Sequence, residues 1–502
     1  MARTATFAEG SGLYQAMVLL TVSLCVMLYS LTVTVVNVTL PQLQGALSAT
    51  PDQVAWVVTL NLAATAVVTP MTGWMVGRFG QRQVMIWSVV GFTISSLLCA
   101  TATSLAPLLI YRIGQGAFGA PLVPLAQAIV VATYPPEKRA MAQGWFGMAV
   151  VVGPAVGPVF GGYLAEEFNW RWVFLLLVPL CLMALLMVLA FIKERGRQDN
   201  ARLDWTGFLA LSVAIVCLQL LMDRGERLDW FDSTEILLLT GAMAVSFYVF
   251  LVHTLTYDRP FITPGLFLDR NFTVGLVFVF VYGMLNFTPI TLLPPLLQSL
   301  KGYPDSLIGY VLGSRGVGMV LGFFLAGRMG RLDPRVGMFI GLGLVALSGV
   351  MLMNFSVDTS FAELAWMGLI QGLGTGLMWV PLSIVTFATL SSDKLPEAAA
   401  LFHLLRNFGS SIFISLSVMA AVRTGRVTYA ELSEHISPLK EGMYLPWVIG
   451  PRALDHLPDV VAMSSEIDRQ AQLIGNLNAF LLYTAAAVLT MPFLLLVQIK
   501  KH

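Results

Sequence analysis

The chain has 502 residues, of which 57% are hydrophobic and only 11% are charged, and its formal net charge is +1. Soluble domains carry about 25% charged residues, so this composition excludes a soluble globular protein, and the near-zero net charge offers no electrostatic case for nucleic-acid binding. Long apolar runs alternate with short polar stretches, as a bilayer core of about 30 Å requires. We therefore predict an all-α integral membrane protein.

The apolar runs predict about fourteen transmembrane helices. In chain order they cover 16–38, 54–76, 84–104, 107–132, 140–164, 171–192, 204–222, 234–256, 273–298, 306–327, 337–355, 362–389, 398–421 and 475–498. The first run follows Arg3 but is too long for the apolar region of a signal peptide. We expect it to remain as an uncleaved helix.

Lysine and arginine are concentrated in alternate connections between these spans. With the N-terminus inside the cell, the cytoplasmic connections include the pairs Arg78/Arg82 and Lys138/Arg139, whereas the short outer loops hold few cations. This bias obeys the positive-inside rule, which sets the orientation of multi-span proteins. It predicts a multi-pass protein of the inner (plasma) membrane with both termini in the cytoplasm.

Two segments of the chain repeat at a similar offset. The stretch 76–82 is echoed by 326–331, about 250 positions later, and Gln115-Gly116 before Pro124 is echoed by Gln371-Gly372 before Pro381, about 256 positions later. A shared offset is the signature of internally duplicated transporters. We predict an N-terminal six-helix bundle over 1–198, two additional helices over 199–260 and a C-terminal six-helix bundle over 261–502.

The last outer connection, about 423–474, is unusually long and mixes amphipathic stretches with several prolines. Loops of this length are usually functional or disordered. The sequence leaves two interpretations open, a docking site for a periplasmic adaptor protein and a disordered tether.

The connection after the second predicted span resembles the loop signature of the major facilitator superfamily. It runs from Gly73 to Arg82 and includes Arg78 and Gly80. In that family the loop places cations against helix ends and stabilises one conformation of the half. The family usually has Asp where this chain has Gly77, so the acidic partner of a helix dipole is missing.

Two further stretches resemble superfamily motifs. One runs from Leu108 to Gly119 and contains Arg112 and Gln115; the other matches the fifth-helix motif of antiporters. The glycines of the second motif permit close helix approach, and its prolines permit a bend. Its candidate conformational residues are Gly153, Pro154, Gly157, Pro158 and Gly161.

The stretches 170–174, 203–207, 221–231, 269–273 and 404–409 narrow the resemblance to the fourteen-span drug:proton antiporters of the EmrB/QacA type, and within these to EmrB. The resemblance covers nearly the whole chain. It implies a major facilitator fold and secondary active efflux of hydrophobic or amphiphilic compounds by alternating access and proton antiport. It also implies a periplasmic adaptor (a membrane fusion protein) and an outer-membrane channel as partners.

Thr32 occupies the position where EmrB-type proteins carry an acidic residue in the first span. The predicted spans hold no Asp or Glu near the bilayer midplane but do hold three arginines, and buried charges in membranes are usually functional. We therefore predict that Arg112 faces the cavity and binds an anionic or electron-rich group of the substrate. The predicted substrate-binding residues are Arg112, Thr32, Thr34, Asn37, Gln115, Arg315 and Arg406, and Trp56, Trp74, Trp145, Trp379 and Tyr282 are candidates for an apolar cavity wall.

Thr32 does not titrate, so proton coupling needs another group. The candidates are His403, Asp223 and Glu363, and protonation of the substrate itself is the alternative. The sequence has no Gly-Lys dipeptide, hence no P-loop, and neither a metal-ligand cluster nor a Gly-x-Ser-x-Gly motif. We expect neither an enzyme nor a cofactor; the alternative to multidrug efflux is a dedicated exporter of one metabolite, lipid or siderophore-like product, with or without proton coupling.

Overall fold

The computed structural model describes residues 12–195, 203–329, 333–434 and 457–497, and within these ranges the side chains of some helix residues, Asn37 and Pro158 among them, lie outside the description. The described residues form α-helices and short 3-10 turns and contain no β-strand. The predicted all-α architecture is confirmed.

Eleven helices precede residue 260: α1 Gly12–Leu47, α2 Pro51–Val68, α3 Thr72–Phe79, α4 Gln81–Thr101, α5 Leu105–Gly119, α6 Leu122–Thr133, α7 Pro136–Glu167, α8 Arg171–Leu175, α9 Leu177–Phe191, α10 Trp205–Arg224 and α11 Thr234–Thr256. Six described helices follow: α12 Arg270–Lys301, α13 Asp305–Arg328, α14 Pro334–Met353, α15 Phe361–Phe387, α16 Leu395–Glu434 and α17 Leu457–Thr490.

Thirteen helical segments in the described part of the chain are long and apolar enough to cross a bilayer. Helix α7, which is not among them, is 32 residues long and covers the predicted fifth span, 140–164. Several spans are interrupted helices: α2 and α3 form one span, α5 and α6 another, and α8 and α9 a third. Pro70 and Pro121 lie at the first two breaks, where a proline cannot continue the backbone hydrogen bonds.

Helix α1 packs against α7 along the predicted antiporter motif. A Cβ on Gly153 would lie 2.6 Å from the carbonyl oxygen of Met27, and one on Gly161 would lie 3.3 Å from that of Val35. Only glycine permits so close an approach at Gly153. The motif therefore brings two helix backbones together, as the sequence predicts.

Helices α10 and α11 pack against each other, and α10 also contacts α2 and α16. Thr59 of α2 donates to Asp223 of α10 at 2.9 Å, and Ser411 of α16 donates to Gln219 of α10 at 3.0 Å. Helix α10 thus contacts one helix that precedes the α10–α11 pair in the chain and one that follows it. The division into two six-helix bundles and an inserted pair stays a prediction.

Helices α16 and α17 continue into the segment predicted as a long outer connection. Residues 423–434 and 457–474 are helical, and residues 435–456 lie outside the described residues. Tyr429 and Ser464 hydrogen-bond at 2.9 Å between the two helices. At 1.5 Å per residue, the 40 residues of α16 extend about 60 Å, roughly twice the hydrocarbon thickness of a bilayer.

Candidate binding site

Arg112 lies between α5 and α2 in the first half of the chain. Its Nε donates to the carbonyl oxygen of Val57 at 3.0 Å, and its guanidinium also donates to Gln115. Gln115 in turn donates to Ser96 of α4 at 2.7 Å, so one arginine ties three helices together. The Arg112 side chain is 1% exposed.

Arg315, in the second half, also hydrogen-bonds a glutamine. Its Nε donates to Gln371 of α15, and its terminal nitrogen donates to the carbonyl oxygen of Asn286 at 2.7 Å and to the Asn286 side chain at 2.5 Å. Gln371 also donates to the hydroxyl of Tyr483 at 3.3 Å. Arg315 and Gln371 both line a small cavity that is otherwise mostly apolar.

Arg406 is the least enclosed of the three arginines. It is half-buried on α16, and its guanidinium carbon lies 5.9 Å from the centre of the Trp379 ring. Among the described residues, its one hydrogen bond is to the neighbouring Asn407, at 3.2 Å, and its Nε is buried without a hydrogen-bond partner there. A guanidinium has five donors, so Arg406 retains most of its capacity to bind an acceptor.

Two tyrosines each interact with two of the three arginines. Tyr29 of α1 interacts electrostatically with both Arg112 and Arg406, and Tyr282 of α12 does so with both Arg315 and Arg406. Within the described ranges, none of the three arginines forms a salt bridge with a carboxylate. The surroundings of the three arginines are therefore positively charged and aromatic, a combination that suits an anion with an apolar body.

His403 joins the two halves of the chain. It is 2% exposed, and its Nε2 lies 2.5 Å from Oε1 of Gln127 on α6. His403 Nδ1 and Gln127 Nε2 are both buried without a hydrogen-bond partner, as is Nε1 of Trp379, whose ring centre is 6.1 Å from that of His403. These atoms and Arg406 Nε form a cluster of unsatisfied polar groups between the halves.

The other predicted binding residues lie at varied places. Thr32 is buried and donates to the carbonyl oxygen of Leu28, one turn earlier at 2.9 Å. Thr34 points toward α7, because its hydroxyl is the atom nearest to a Cβ added at Gly157. The side chain of Asn37 lies outside the described residues.

The two acidic coupling candidates are exposed. Asp223 accepts from Thr59 near the end of α10. Glu363 accepts from the backbone N–H of Ser360 at 2.7 Å and forms a capping box at the start of α15. Capping is a structural role for a glutamate at this helix position.

The segment 73–82, predicted to stabilise one conformation of its half, contacts both halves of the chain. A Cβ on Gly73 would approach the backbone of Glu397 on α16 to 2.8 Å. Gly80 adopts a φ of 86°, in the region that favours glycine. Arg82 donates to the carbonyl oxygen of Leu189 at 2.9 Å, whereas the Arg78 side chain is exposed.

Pro154, the proline of the α7 motif whose side chain is described, is partly buried within an unbroken helix.

Three residues of this region were not among the predicted binding residues. Trp379 was named only with the aromatic candidates, and Gln127 and Tyr29 were not singled out. Gln127 is a lone amide in the apolar run of α6, and this isolation is a signal that the sequence does offer. Of the other aromatic candidates, Tyr282 packs 4.9 Å from Trp379, whereas Trp145 is 52% exposed on the outside of α7.

Comparison with known proteins identifies the family. Residues 22–414 match the model of the Major Facilitator Superfamily. The chain is 33% identical over 425 residues to the multidrug export protein EmrB of Escherichia coli K12, covering 83% of this chain and 82% of that protein. It is 29% identical over 490 residues to the fatty acid resistance protein FarB of Neisseria gonorrhoeae, covering 97% of each.

Solved structures agree on the fold. The proton:xylose symporter XylE aligns with a TM-score of 0.61 at 15% identity, over 96% of this chain and 95% of that one. The human organic anion transporter MFSD10 aligns with a TM-score of 0.59 at 18% identity, over 94% of this chain and 99% of that one. The helical fold, the matched residues and the similarity to EmrB together show that this chain is a multi-pass membrane transporter of the Major Facilitator Superfamily, within its EmrB-like family.

Proposed function

We propose that this protein is a secondary active exporter of amphiphilic anions. The observation that carries the proposal is the set of three arginines in the membrane-spanning region, none of which forms a salt bridge within the described residues. An unpaired charge inside a membrane protein is costly, and a bound anion removes that cost. Arg406 binds the anion most directly, since it has the most unused donors.

Arg315 and Arg112 support the same site in this proposal. Arg315 borders an apolar cavity, and Arg112 keeps the potential near Tyr29 positive while it is held by Val57 and Gln115. Thr32 belongs to the site because it lies one turn from Tyr29 on the same helix. The name of the relative FarB refers to fatty acids, which combine one carboxylate with an apolar tail.

We propose His403 as the group that carries the proton in an antiport cycle. Among the three titratable candidates, only His403 is buried, and it contacts Gln127 across the two halves. A carbonyl oxygen accepts hydrogen bonds, so Nε2 carries the proton in the neutral ring and Nδ1 is free to take up a second one. His403→Gln would then abolish acceleration by a pH gradient.

A transport assay tests the function. Purified protein in liposomes should move radiolabelled dodecanoate, faster when a pH gradient is imposed, and should move a cationic dye such as ethidium much more slowly. Arg406→Gln should remove this preference for the anion. Faster transport of ethidium than of dodecanoate would overturn the proposal.

We propose in addition that the protein lies in the inner membrane with both termini cytoplasmic and that α16 and α17 present a docking site for a periplasmic adaptor, through which substrate reaches an outer-membrane channel. The length of α16 supports projection beyond the bilayer. Deleting 430–470 should leave transport in liposomes intact and abolish resistance of cells to the exported compound. Unchanged resistance in cells would contradict the docking site.

A further inference from the structure

We infer that Trp379, Arg406 and Gln127 form the subsite that holds the carboxylate of the substrate, between the two halves of the transporter. This inference rests on the proposed export of anions and specifies where the charged group binds. Its basis is the cluster of buried polar atoms without partners: Trp379 Nε1, Arg406 Nε and Gln127 Nε2.

All three atoms are obligate donors. An indole N–H and a guanidinium N–H only donate, and the amide nitrogen of Gln127 donates because its oxygen already contacts His403. Buried donors are almost always paired in folded proteins. Three unpaired donors in one place therefore call for a ligand that supplies several acceptor oxygens.

The side chains that carry these donors are neighbours. The guanidinium carbon of Arg406 is 5.9 Å from the Trp379 ring centre, and the His403 ring, which contacts Gln127, is 6.1 Å from it. A carboxylate has two oxygens that accept charge-assisted hydrogen bonds, so one carboxylate can bind donors from neighbouring side chains. One guanidinium at this place matches one negative charge, so the class of ligand is a monoanion.

The surroundings select an apolar body behind that charge. Tyr282 packs 4.9 Å from Trp379, and Phe402 packs 5.4 Å from it on another side. Because Gln127 belongs to α6 while Trp379 and Arg406 belong to α15 and α16, the carboxylate would bind both halves at once. Binding at this place therefore favours one arrangement of the halves over the other.

Equilibrium binding to the purified full-length protein tests the subsite, with radiolabelled dodecanoate, dodecanol and dodecyltrimethylammonium as probes that differ only in the head group. Trp379→Phe removes one donor and keeps the ring. A hydrogen bond to a charged group is strong enough that its loss should weaken dodecanoate binding about tenfold, with dodecanol binding unchanged. Trp145→Phe, on the exposed side of α7, is the matched control and should bind all three probes normally.

Gln127→Glu is the sharper variant. It keeps an oxygen for His403 and replaces the unpartnered donor with a negatively charged oxygen. Dodecanoate binding should fall at least about tenfold, and dodecyltrimethylammonium binding should increase, which misfolding cannot produce.

The results separate the two proposals. Normal dodecanoate binding by both Trp379→Phe and Gln127→Glu, together with its loss in Arg406→Gln, would overturn the subsite and leave anion export standing. Equal binding of dodecanoate and dodecanol by the unaltered protein would overturn anion export and the subsite with it.

Discussion

The two halves of the chain build the same polar contact from different residues. In the first half, Arg112 of α5 donates to Gln115, the glutamine of the Gln-Gly pair that recurs as Gln371-Gly372. Asn61 of α2 donates to the carbonyl oxygen of Arg112 at 2.9 Å. In the second half, the guanidinium comes from the other helix, because Arg315 of α13 donates to the repeat glutamine Gln371.

The repeat glycines show that these positions correspond. A Cβ on Gly116 would meet the carbonyl oxygen of Asn61, and a Cβ on Gly372 would meet that of Arg315. Asn61 and Arg315 thus occupy equivalent places, and Gly368 lies where the first half has Arg112, packed against Ser314. The guanidinium therefore comes from non-equivalent helices in the two halves, whereas its glutamine partner holds the equivalent position in both.

The two arginines therefore have different surroundings. Arg112 is 1% exposed and bonded to the backbone of α2, whereas Arg315 is 8% exposed and borders a cavity. The first half therefore uses its charge mainly to hold helices together. In the second half the charge instead borders a small, mostly apolar cavity.

The largest effect should come from Arg112→Ala. Removing the guanidinium leaves Gln115 and the Val57 carbonyl without a partner and creates a void between α2 and α5. We expect transport to be abolished and the free energy of unfolding to fall by about 3 kcal/mol or more, measured by dodecanoate uptake and thermal denaturation. Arg112→Gln with normal transport and normal binding affinity would show that the charge serves neither role.

Arg315→Gln should separate binding from folding. Gln371 can still hydrogen-bond an amide, so we expect a drop in thermal stability clearly smaller than that of Arg112→Ala. Dodecanoate transport should fall about tenfold or more, because one charge near the cavity is lost. Equal stability losses in the Arg112 and Arg315 variants would break the distinction between the halves.

The sequence predicts the fold more completely than the binding site, and particular residues explain why. Hydropathy and the glycines of 144–162 are local patterns, so they predict the spans and a close helix approach at the motif, whereas the partner helix, α1, comes from the structure. Arg112 and Gln115 are one helical turn apart, so their contact is also local.

The partners of Arg406 and His403 could not be predicted in this way. His403 meets Gln127, 276 positions away, and Arg406 meets Trp379 on another helix. The first contact depends on how the two halves pack and the second on how helices pack within the second half, and no local pattern encodes either. Glu363 has a local contact instead, since it caps the start of α15, and its role in proton coupling stays a prediction.

Thr32→Asp should weaken anion transport about tenfold, less than the loss of an arginine. Position 32 lies one turn from Tyr29, which interacts with Arg112 and Arg406, so a new carboxylate would compete with the substrate for their charge. Thr32→Asn has a similar shape and no charge and is the matched control. Competition predicts a rise in the dodecanoate concentration for half-maximal transport. Unchanged transport by Thr32→Asp would show that a carboxylate at position 32 does not interact with the arginines.

The smallest effects should come from the repeat glycines, and they test whether the halves are equivalent in packing even though their charges differ. An alanine at Gly116 or Gly372 forces α5 away from α2 or α15 away from α13, because its Cβ would overlap a carbonyl oxygen. Overpacking of this kind costs about 1 to 3 kcal/mol, so we expect similar losses of thermal stability in the two variants. Gly241→Ala on α11 is the control, since nothing lies within 4 Å of its added Cβ, and it should leave stability unchanged or raise it by up to about 1 kcal/mol. A large loss at Gly116 with none at Gly372 would mean that the first half alone depends on this close approach and that the repeat extends to sequence but not to packing.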